Sequence, residues 1–203
     1  MKTAIQGLLT IVILLLGYAL YESIMKPIRF NQERDVRYDA TIERLKDIRT
    51  CQNAFKSENS KFTADFDSLI DFIKTGNFKV IMQIGSMDDS LAVALGKVRR
   101  DTVRVPVLDS LYGDREDFNI EDIKYVPFTN KQNVFEMGAT ILLTGSKVRV
   151  PVFECKVHND ILLKGLDRQL IINLNAERKR IEKYEGLKVG SLEESNNGAG
   201  NWE

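Results

Sequence analysis

The chain has 203 residues, and its 29 basic and 29 acidic side chains give a formal net charge of zero. This balance provides no excess positive field for nucleic-acid binding. The cysteines, Cys51 and Cys155, match no metal-binding spacing, and His158 is the only histidine. The spacing is compatible with a disulfide or with two isolated thiols, and we favour isolated thiols.

The first predicted element is an uncharged apolar segment at residues 4–21, AIQGLLTIVILLLGYALY. As a helix it extends about 27 Å, close to the hydrocarbon thickness of a bilayer, about 30 Å. We predict a transmembrane anchor over residues 1–25. A cleaved signal peptide and a buried core helix are the alternatives. The lipid-facing side chains predicted for the anchor are Ile5, Leu8, Leu9, Ile11, Val12, Ile13, Leu14, Leu15, Leu16 and Leu20.

The charges that flank the anchor leave two orientations open. Lys2 precedes the apolar segment, and four basic residues interleaved with acids follow it: Lys26, Arg29, Arg34 and Arg37. A positive-inside count places the following domain in the cytoplasm. A short basic head before an apolar run is typical of a signal-anchor. On that ground we favour a single-pass inner-membrane protein with a periplasmic domain.

Residues 26–62 are predicted to extend the same helix into water. Pro27 lacks a backbone N–H and crowds the preceding turn, so we predict a kink there. Apolar residues then recur at spacings of three, four and seven, which indicates one buried helix face. Its members are Tyr38, Ile42, Leu45, Ile48 and Phe55, and Asn59-Ser60 is the first stop signal.

Residues 63–192 are predicted to form the soluble α+β domain. We expect Thr63 to cap a second helix whose apolar face packs on the first; the face consists of Phe66, Leu69, Ile70 and Ile73. Alternating patterns then predict strands at 79–84, 102–108, 123–128, 135–143 and 147–157, the last two as a hairpin around Thr144-Gly145-Ser146. Residues 87–100 are compatible with a short helix or a surface excursion.

The pentapeptide Val-Arg-Val-Pro-Val occurs twice, at 103–107 and 148–152. A duplicated strand-turn-strand unit is one explanation. The other is that two edge strands independently carry a β-branched sequence interrupted by proline.

The C-terminal region is predicted to contain an amphipathic helix, which Asp167 caps, and a short strand at 187–192. Residues 193–203 are poor in apolar side chains and predict a flexible tail. Trp202 is the only tryptophan. It is either a buried or partner-binding group or an exposed ring, and we name it as a possible partner contact.

The sequence contains no glycine-rich phosphate loop, nucleophile elbow or metal-binding histidine pair. We therefore predict no catalytic, cofactor-binding or metal-binding residues and no small-molecule substrate. The expected fold is α+β: a long N-terminal helix, kinked at Pro27, packs with a short second helix on a mainly antiparallel sheet, and an amphipathic helix follows near the C-terminus.

Over residues 1–75 this plan resembles the type IV pilin and type II secretion pseudopilin superfamily. The resemblance rests on the anchor, the proline near its end, and the segment from Ile48 to Thr63 with Ala54-Phe55, Asn59-Ser60 and Phe62. It does not extend to the leader cleavage motif. Gly7 is followed by Leu8 instead of phenylalanine, and Val12 stands where that family has glutamate.

The resemblance implies a non-catalytic structural subunit of a secretion or filament assembly in the cell envelope. The expected partners are the lipid bilayer and copies of the chain or other envelope proteins, with no nucleic acid. The alternative is a bitopic envelope adaptor that recruits another protein without self-assembly.

Overall fold

Helix α1 runs from Lys2 to Asn59, and every other element follows it in the chain. The computed structural model describes residues 2–84, 99–115, 118–145 and 147–203, with backbone only at 3, 4, 81–84 and 99–101. The predicted α+β class, with a long N-terminal helix and antiparallel sheets, is confirmed. For residues 87–100 helix and surface excursion were the alternatives; residues 87–98 lie outside the described residues, and residues 99 and 100 begin a strand.

The 58 residues of α1 correspond to about 87 Å of helix. The helix is continuous through Pro27, and the bend that this proline predicts stays a prediction. The end at Asn59-Ser60 is confirmed. Ser60 has a positive φ of 58°, and its N–H donates to the Lys56 carbonyl at 2.8 Å, which closes the last turn.

The upper half of α1 forms one wall of the hydrophobic core. Leu45 and Ile48 of the predicted face are fully buried. The other three predicted residues pack against the core while partly exposed: Tyr38, Ile42 and Phe55. The periodicity therefore identified the packed face correctly.

Helix α2 (Phe66–Thr75) packs on α1 through the predicted face, all of which is buried. The predicted cap, Thr63, is wrong. Asp65 is the N-cap, because its carboxylate accepts from the N–H groups of Asp67 and Ser68. A carboxylate at this position satisfies two free helix donors at once, whereas the Thr63 hydroxyl accepts only from the Asp65 N–H.

Strands β1 (Asn77–Ile84) and β2 (Arg99–Pro106) form an antiparallel two-stranded sheet. The strand predicted over 102–108 ends earlier, because Pro106 begins helix α3 (Val107–Tyr112). The Val107 N–H donates to the Gly76 carbonyl at 3.0 Å, which ties α3 to the end of α2.

The strand predicted at 123–128 is wrong. Residues Ile120–Lys124 form a 3-10 helix, and only a single bridge, Tyr125 to Val134, follows it. Ile120, Ile123 and Val126 are buried, and their three-residue spacing matches the three residues per turn of a 3-10 helix.

A second antiparallel sheet has the order β3-β4-β5, with bounds Glu136–Leu143, Arg149–His158 and Gly186–Gly190. The predicted hairpin is confirmed as β3 and β4. β4 pairs with β5 only from Glu154 onward. Pro151 therefore lies in the part of β4 that pairs with β3 alone, where a missing N–H breaks no ladder on the other side.

The two Val-Arg-Val-Pro-Val copies adopt different structures. In the first copy Pro106 ends a strand and begins a helix, whereas in the second Pro151 lies inside β4. The difference agrees better with two edge segments interrupted by proline than with one duplicated unit.

Helices α4 (Asn159–Leu162) and α5 (Arg168–Arg180) connect β4 to β5. The Asp167 carboxylate accepts from the Leu170 N–H at 3.0 Å, so Asp167 caps α5 as the sequence indicates. The cap holds the start of α5 close to the lower part of α1, as described below.

Residues 193–203, predicted to be a flexible tail, lie against β5 and α1 in the structure. The Gly190 N–H donates to the Ala199 carbonyl, and the Asn201 N–H donates to the Lys188 carbonyl, both at 3.0 Å. The Glu203 carboxylate lies 2.6 Å from the Arg49 guanidinium. Backbone hydrogen bonds rather than apolar side chains hold this segment in place, and amino-acid composition does not predict such bonds.

Candidate membrane anchor and its junction with the domain

The predicted anchor side chains project away from the domain along the lower half of α1. All ten are exposed, with between 42% and 68% of their surface accessible. An 18-residue window of this helix has a mean hydropathy of 2.0, and none of it is buried. The helix is therefore long and apolar enough to cross a membrane, and it is not a core helix of the described domain.

The backbone groups of this segment and the Thr10 hydroxyl form hydrogen bonds within the helix itself. The backbone is helical throughout, so its N–H and C=O groups bond within the segment. The Thr10 hydroxyl donates to the Gln6 carbonyl at 3.0 Å. These internal bonds are what a helix needs in order to enter a hydrocarbon environment.

Charged side chains begin directly above the anchor. Arg29 pairs with Glu22 at 3.2 Å, and the Lys26 Nζ lies 2.8 Å from the Asp167 carboxylate. The hydrogen bond between Lys26 and Asp167 raises the pKa of Lys26 and lowers that of Asp167. Lys26 thus joins the part of α1 just above the anchor to Asp167, the cap of α5.

Arg37 holds two loops against α1. Its guanidinium donates to the carbonyls of Leu162 (3.2 Å) and Lys164 (3.0 Å) and pairs with Glu33 at 3.0 Å. It also lies 5.7 Å from the ring centre of Phe128. One arginine of α1 therefore holds both the connection between α4 and α5 and the loop that carries Phe128.

A buried polar network connects α1 to α4 and α5. The Tyr38 hydroxyl donates to the Asn159 side-chain carbonyl at 2.6 Å, and the Asn159 amide donates to Asn175 at 2.8 Å. Arg178 stacks 5.4 Å from the centre of the Tyr38 ring. Burial is the main cause of the raised pKa of Tyr38, which keeps its phenol a donor.

A second polar cluster joins the upper half of α1 to α3. The Tyr112 hydroxyl contacts the Cys51 sulfur at 3.3 Å and donates to the Asp47 carbonyl at 3.1 Å. Arg115 pairs with the Asp47 carboxylate at 2.7 Å. Cys51 and Cys155 are both free and buried. Burial raises the pKa of Cys51 to about 12 and raises that of Cys155 as well.

An open cleft of about 520 Å³ lies beside the Asp47 cluster. Three of its carboxylates are engaged in ion pairs: Glu43 with Lys46, Asp47 with Arg115, and Asp122 with Lys131. Within the described ranges no group of three or more His, Cys, Asp or Glu side chains is placed to hold a metal ion. The His158 Nδ1 accepts from the Asp160 N–H at 3.2 Å, so this histidine caps α4.

Trp202, the predicted partner contact, is half-buried and packs against the core. Its ring lies over Gly200, where an added Cβ would approach the indole to 2.4 Å. The glycine thus makes room for the ring. The residue is neither an idle exposed ring nor a freely projecting one.

The residues that connect anchor and domain were not identified from the sequence as functional. Arg37, Asn159 and Asp167 receive their partners from distant parts of the chain, which no local pattern encodes. Comparisons with known protein families, with curated proteins and with solved structures found no match.

Proposed function

We propose that this protein is a membrane-anchored, non-catalytic structural subunit of a cell-envelope assembly, similar in plan to pilins and pseudopilins. It lies in the inner membrane with its domain in the periplasm. The observation that carries the proposal is one helix with two environments. Its lower half is apolar and exposed, and its upper half is the wall of the domain core.

The absence of a loop between anchor and domain supports a structural role. α1 is helical from Lys2 to Asn59, and Phe30 is already buried in the core. The spacing and rotation of the domains therefore follow those of the anchors. Such coupling suits subunits that pack side by side through their helices, where close van der Waals contact drives association.

Disulfide crosslinking in native membranes tests self-association. Single cysteines introduced from Leu8 to Leu20 should give disulfide-linked dimers, with the yield rising and falling at helical spacing. Pairs of cysteines within this segment should give higher ladders. The native Cys51 and Cys155 are buried with raised pKa values, so they add little background. Strictly monomeric protein at every anchor position would contradict the proposal.

Orientation and processing need separate measurements. Protease added to spheroplasts should digest the domain, and protection of the domain would place it in the cytoplasm and exclude the pilin-like role. The intact mass of protein extracted from membranes should include residues 4–21. A mass that lacks them would identify a cleaved signal peptide, which has the same length and composition as an anchor.

A second candidate is an envelope adaptor, which the open edge of the β3-β4-β5 sheet favours. β3 has β4 as its only neighbour among the described strands. Ile141 and Leu143 on β3 are 59% and 67% exposed. An exposed edge strand with apolar side chains can pair with a strand of another protein.

The two candidates separate in one comparison. The variant Ile141→Lys/Leu143→Lys should abolish co-purification of an adaptor's partner in detergent, while anchor crosslinking stays unchanged. If no partner co-purifies with the unmodified protein and the anchor ladders are present, the structural subunit is favoured. The substituted side chains are exposed, so folding should be little affected.

A further inference from the structure

The loop between α4 and α5 descends toward the anchor. Asp167, at the end of this loop, lies 2.8 Å from the Lys26 Nζ. Lys26 is five residues beyond Tyr21, the end of the apolar segment, which is about 7.5 Å along a helix. The headgroup region extends roughly 5–7 Å beyond the hydrocarbon core on each side. The loop therefore lies next to the headgroups when residues 4–21 span the bilayer.

Two contacts fix the direction of α5 relative to α1. Asp167 meets Lys26 at one end, and Arg178 lies over the Tyr38 ring at the other. Lys26 and Tyr38 are about 18 Å apart along α1, and Asp167 and Arg178 are about 16 Å apart along α5. The two helices thus run side by side in the same direction. The first turn of α5 is its end nearest the membrane.

The loop between α4 and α5 and the first turn of α5 form the lower surface of the domain, which faces the membrane. Basic side chains dominate its exposed groups. Lys164 and Arg168 flank the Asp167 cap, both are exposed, and neither forms an ion pair with a described residue. The acidic groups are engaged: Asp167 pairs with Lys26, and Asp160 accepts from the Asn175 amide at 3.1 Å. The two unpaired cations are therefore available to an external anion.

An apolar floor lies between these two cations. A groove of about 230 Å³ is lined by Lys164, Gly165, Leu166, Arg168, Ile171 and Ile172, together with the exposed Asp160. Ile172 is 47% exposed. Gly165, at a φ of +91°, turns the chain between the helices with no side chain in the way. Basic rims over an apolar floor suit the boundary between headgroup and acyl chain.

We propose that Lys164 and Arg168 bind anionic phospholipid headgroups and hold the lower surface of the domain on the membrane that anchors it. This inference rests on the proposed anchor. An anionic leaflet attracts basic residues within about one Debye length, roughly 10 Å. Each such residue shifts the contact equilibrium by about fivefold. An anionic bilayer therefore draws the loop between α4 and α5 closer to its headgroups than a neutral bilayer does.

The test uses the full chain reconstituted into vesicles of phosphatidylcholine, with and without phosphatidylglycerol. A fluorophore on Gln169→Cys, in the first turn of α5, reports contact through quenching by a lipid that carries a nitroxide on its headgroup. The same fluorophore on Glu177→Cys, about 12 Å higher on α5, is the reporter control. Both positions are exposed, and the buried native thiols stay unlabelled.

We expect stronger quenching at position 169 in vesicles with phosphatidylglycerol than in phosphatidylcholine alone, and added salt should reduce the difference. K164E/R168E should reduce it to the level seen in phosphatidylcholine. The matched control K179E/R180E changes the charge equally at the far end of α5, where both residues are exposed, and should leave quenching unchanged. K164Q/R168Q removes the two charges without reversing them and should give a milder loss of quenching. It serves as the second variant if K164E/R168E misfolds, and circular dichroism monitors the folding of each variant.

The outcomes separate this inference from the anchor. Quenching at position 169 that is equal in the two lipids, or unchanged in K164E/R168E, overturns the headgroup contact while the protein still floats with the vesicles. Protein that fails to float with vesicles of either composition overturns the anchor instead.

Discussion

Gln52 is a buried polar residue on the packed face of α1, and its replacement by methionine gives a sharp test of the structure. Its side chain is fully buried. The amide nitrogen donates to the Thr63 carbonyl at 2.7 Å, and the amide oxygen accepts from the Thr63 N–H at 3.2 Å. One side chain therefore satisfies both backbone groups of Thr63 and fixes the turn between α1 and α2.

Gln52→Met keeps the length and volume of the side chain but removes both hydrogen bonds to Thr63 and the weaker one that the amide donates to the Met137 sulfur at 3.1 Å. Each net hydrogen bond contributes about 1 kcal/mol, and a buried group left unpaired costs 1–3 kcal/mol, roughly. Thr63 is half-buried, so water recovers part of this loss. We expect a destabilisation of about 2 kcal/mol, which for a domain of this size lowers Tm by about 4–8 °C.

The assay is thermal unfolding of the full chain in detergent, followed by the fluorescence of Trp202 and by circular dichroism. Gln52→Glu should be less stable than Gln52→Met, because it loses the donor and places a charge in the core. The control Gln132→Met changes an exposed glutamine and should stay within about 0.5 kcal/mol of the unmodified protein. A Gln52→Met protein as stable as this control would refute the bridge to Thr63.

Two further predictions concern buried thiols and a glycine. The pKa of Cys51 is raised by burial to about 12, whereas an unfolded thiol titrates at about 8.5; the folded state therefore keeps a proton that the unfolded chain releases. The contribution of the protonated Cys51 thiol to stability is complete below a pH of about 8.5 and declines as the pH rises toward 12. Urea unfolding at a series of pH values measures this decline. A free energy of unfolding that does not change over this pH range would contradict the prediction. Gly190 has a φ of +76°, and an added Cβ would lie 2.1 Å from the Phe153 carbonyl, so Gly190→Ala should cost more than about 2 kcal/mol. Gly145→Ala, with nothing within 4 Å, is its control in the same unfolding assay, and equal effects would argue against the packing at β5.

Sequence periodicity recovered the packed face of α1 and of α2 because both helices bury an apolar stripe against one core. It did not select Gln52, although this residue lies four after Ile48 and three before Phe55, on the same face. A polar residue at such a position indicates either that the apolar face is interrupted or that the side chain forms a buried hydrogen bond. Only the presence of a hydrogen-bond partner in the fold distinguishes the two. That partner, Thr63, comes from the turn after the helix.

The 3-10 helix shows a different limit. The alternating pattern at residues 123–128 predicted a strand, yet the spacing of Ile120, Ile123 and Val126 is three. Short segments carry too few periods to separate the two, so tertiary burial decides. The junction with α5 was beyond prediction for another reason: Lys26 and Asp167 are joined by the fold alone.

The direct link between anchor and domain leads to a prediction that separates the two proposed functions. One alanine inserted after Ser23 lies below Pro27 and below the Lys26–Asp167 pair, so the domain keeps its contacts. It turns the domain by about 100° relative to the anchor, whereas seven alanines turn it by about 20° and raise it by about 10 Å. In a structural subunit the single insertion should abolish crosslinks between neighbouring domains while anchor crosslinks persist, and the seven-residue insertion should restore the domain crosslinks. An adaptor that acts alone should tolerate both insertions. Domain crosslinks that survive the single insertion would show that the rotation of α1 does not set the packing of the domains, and the structural-subunit proposal would lose its physical basis.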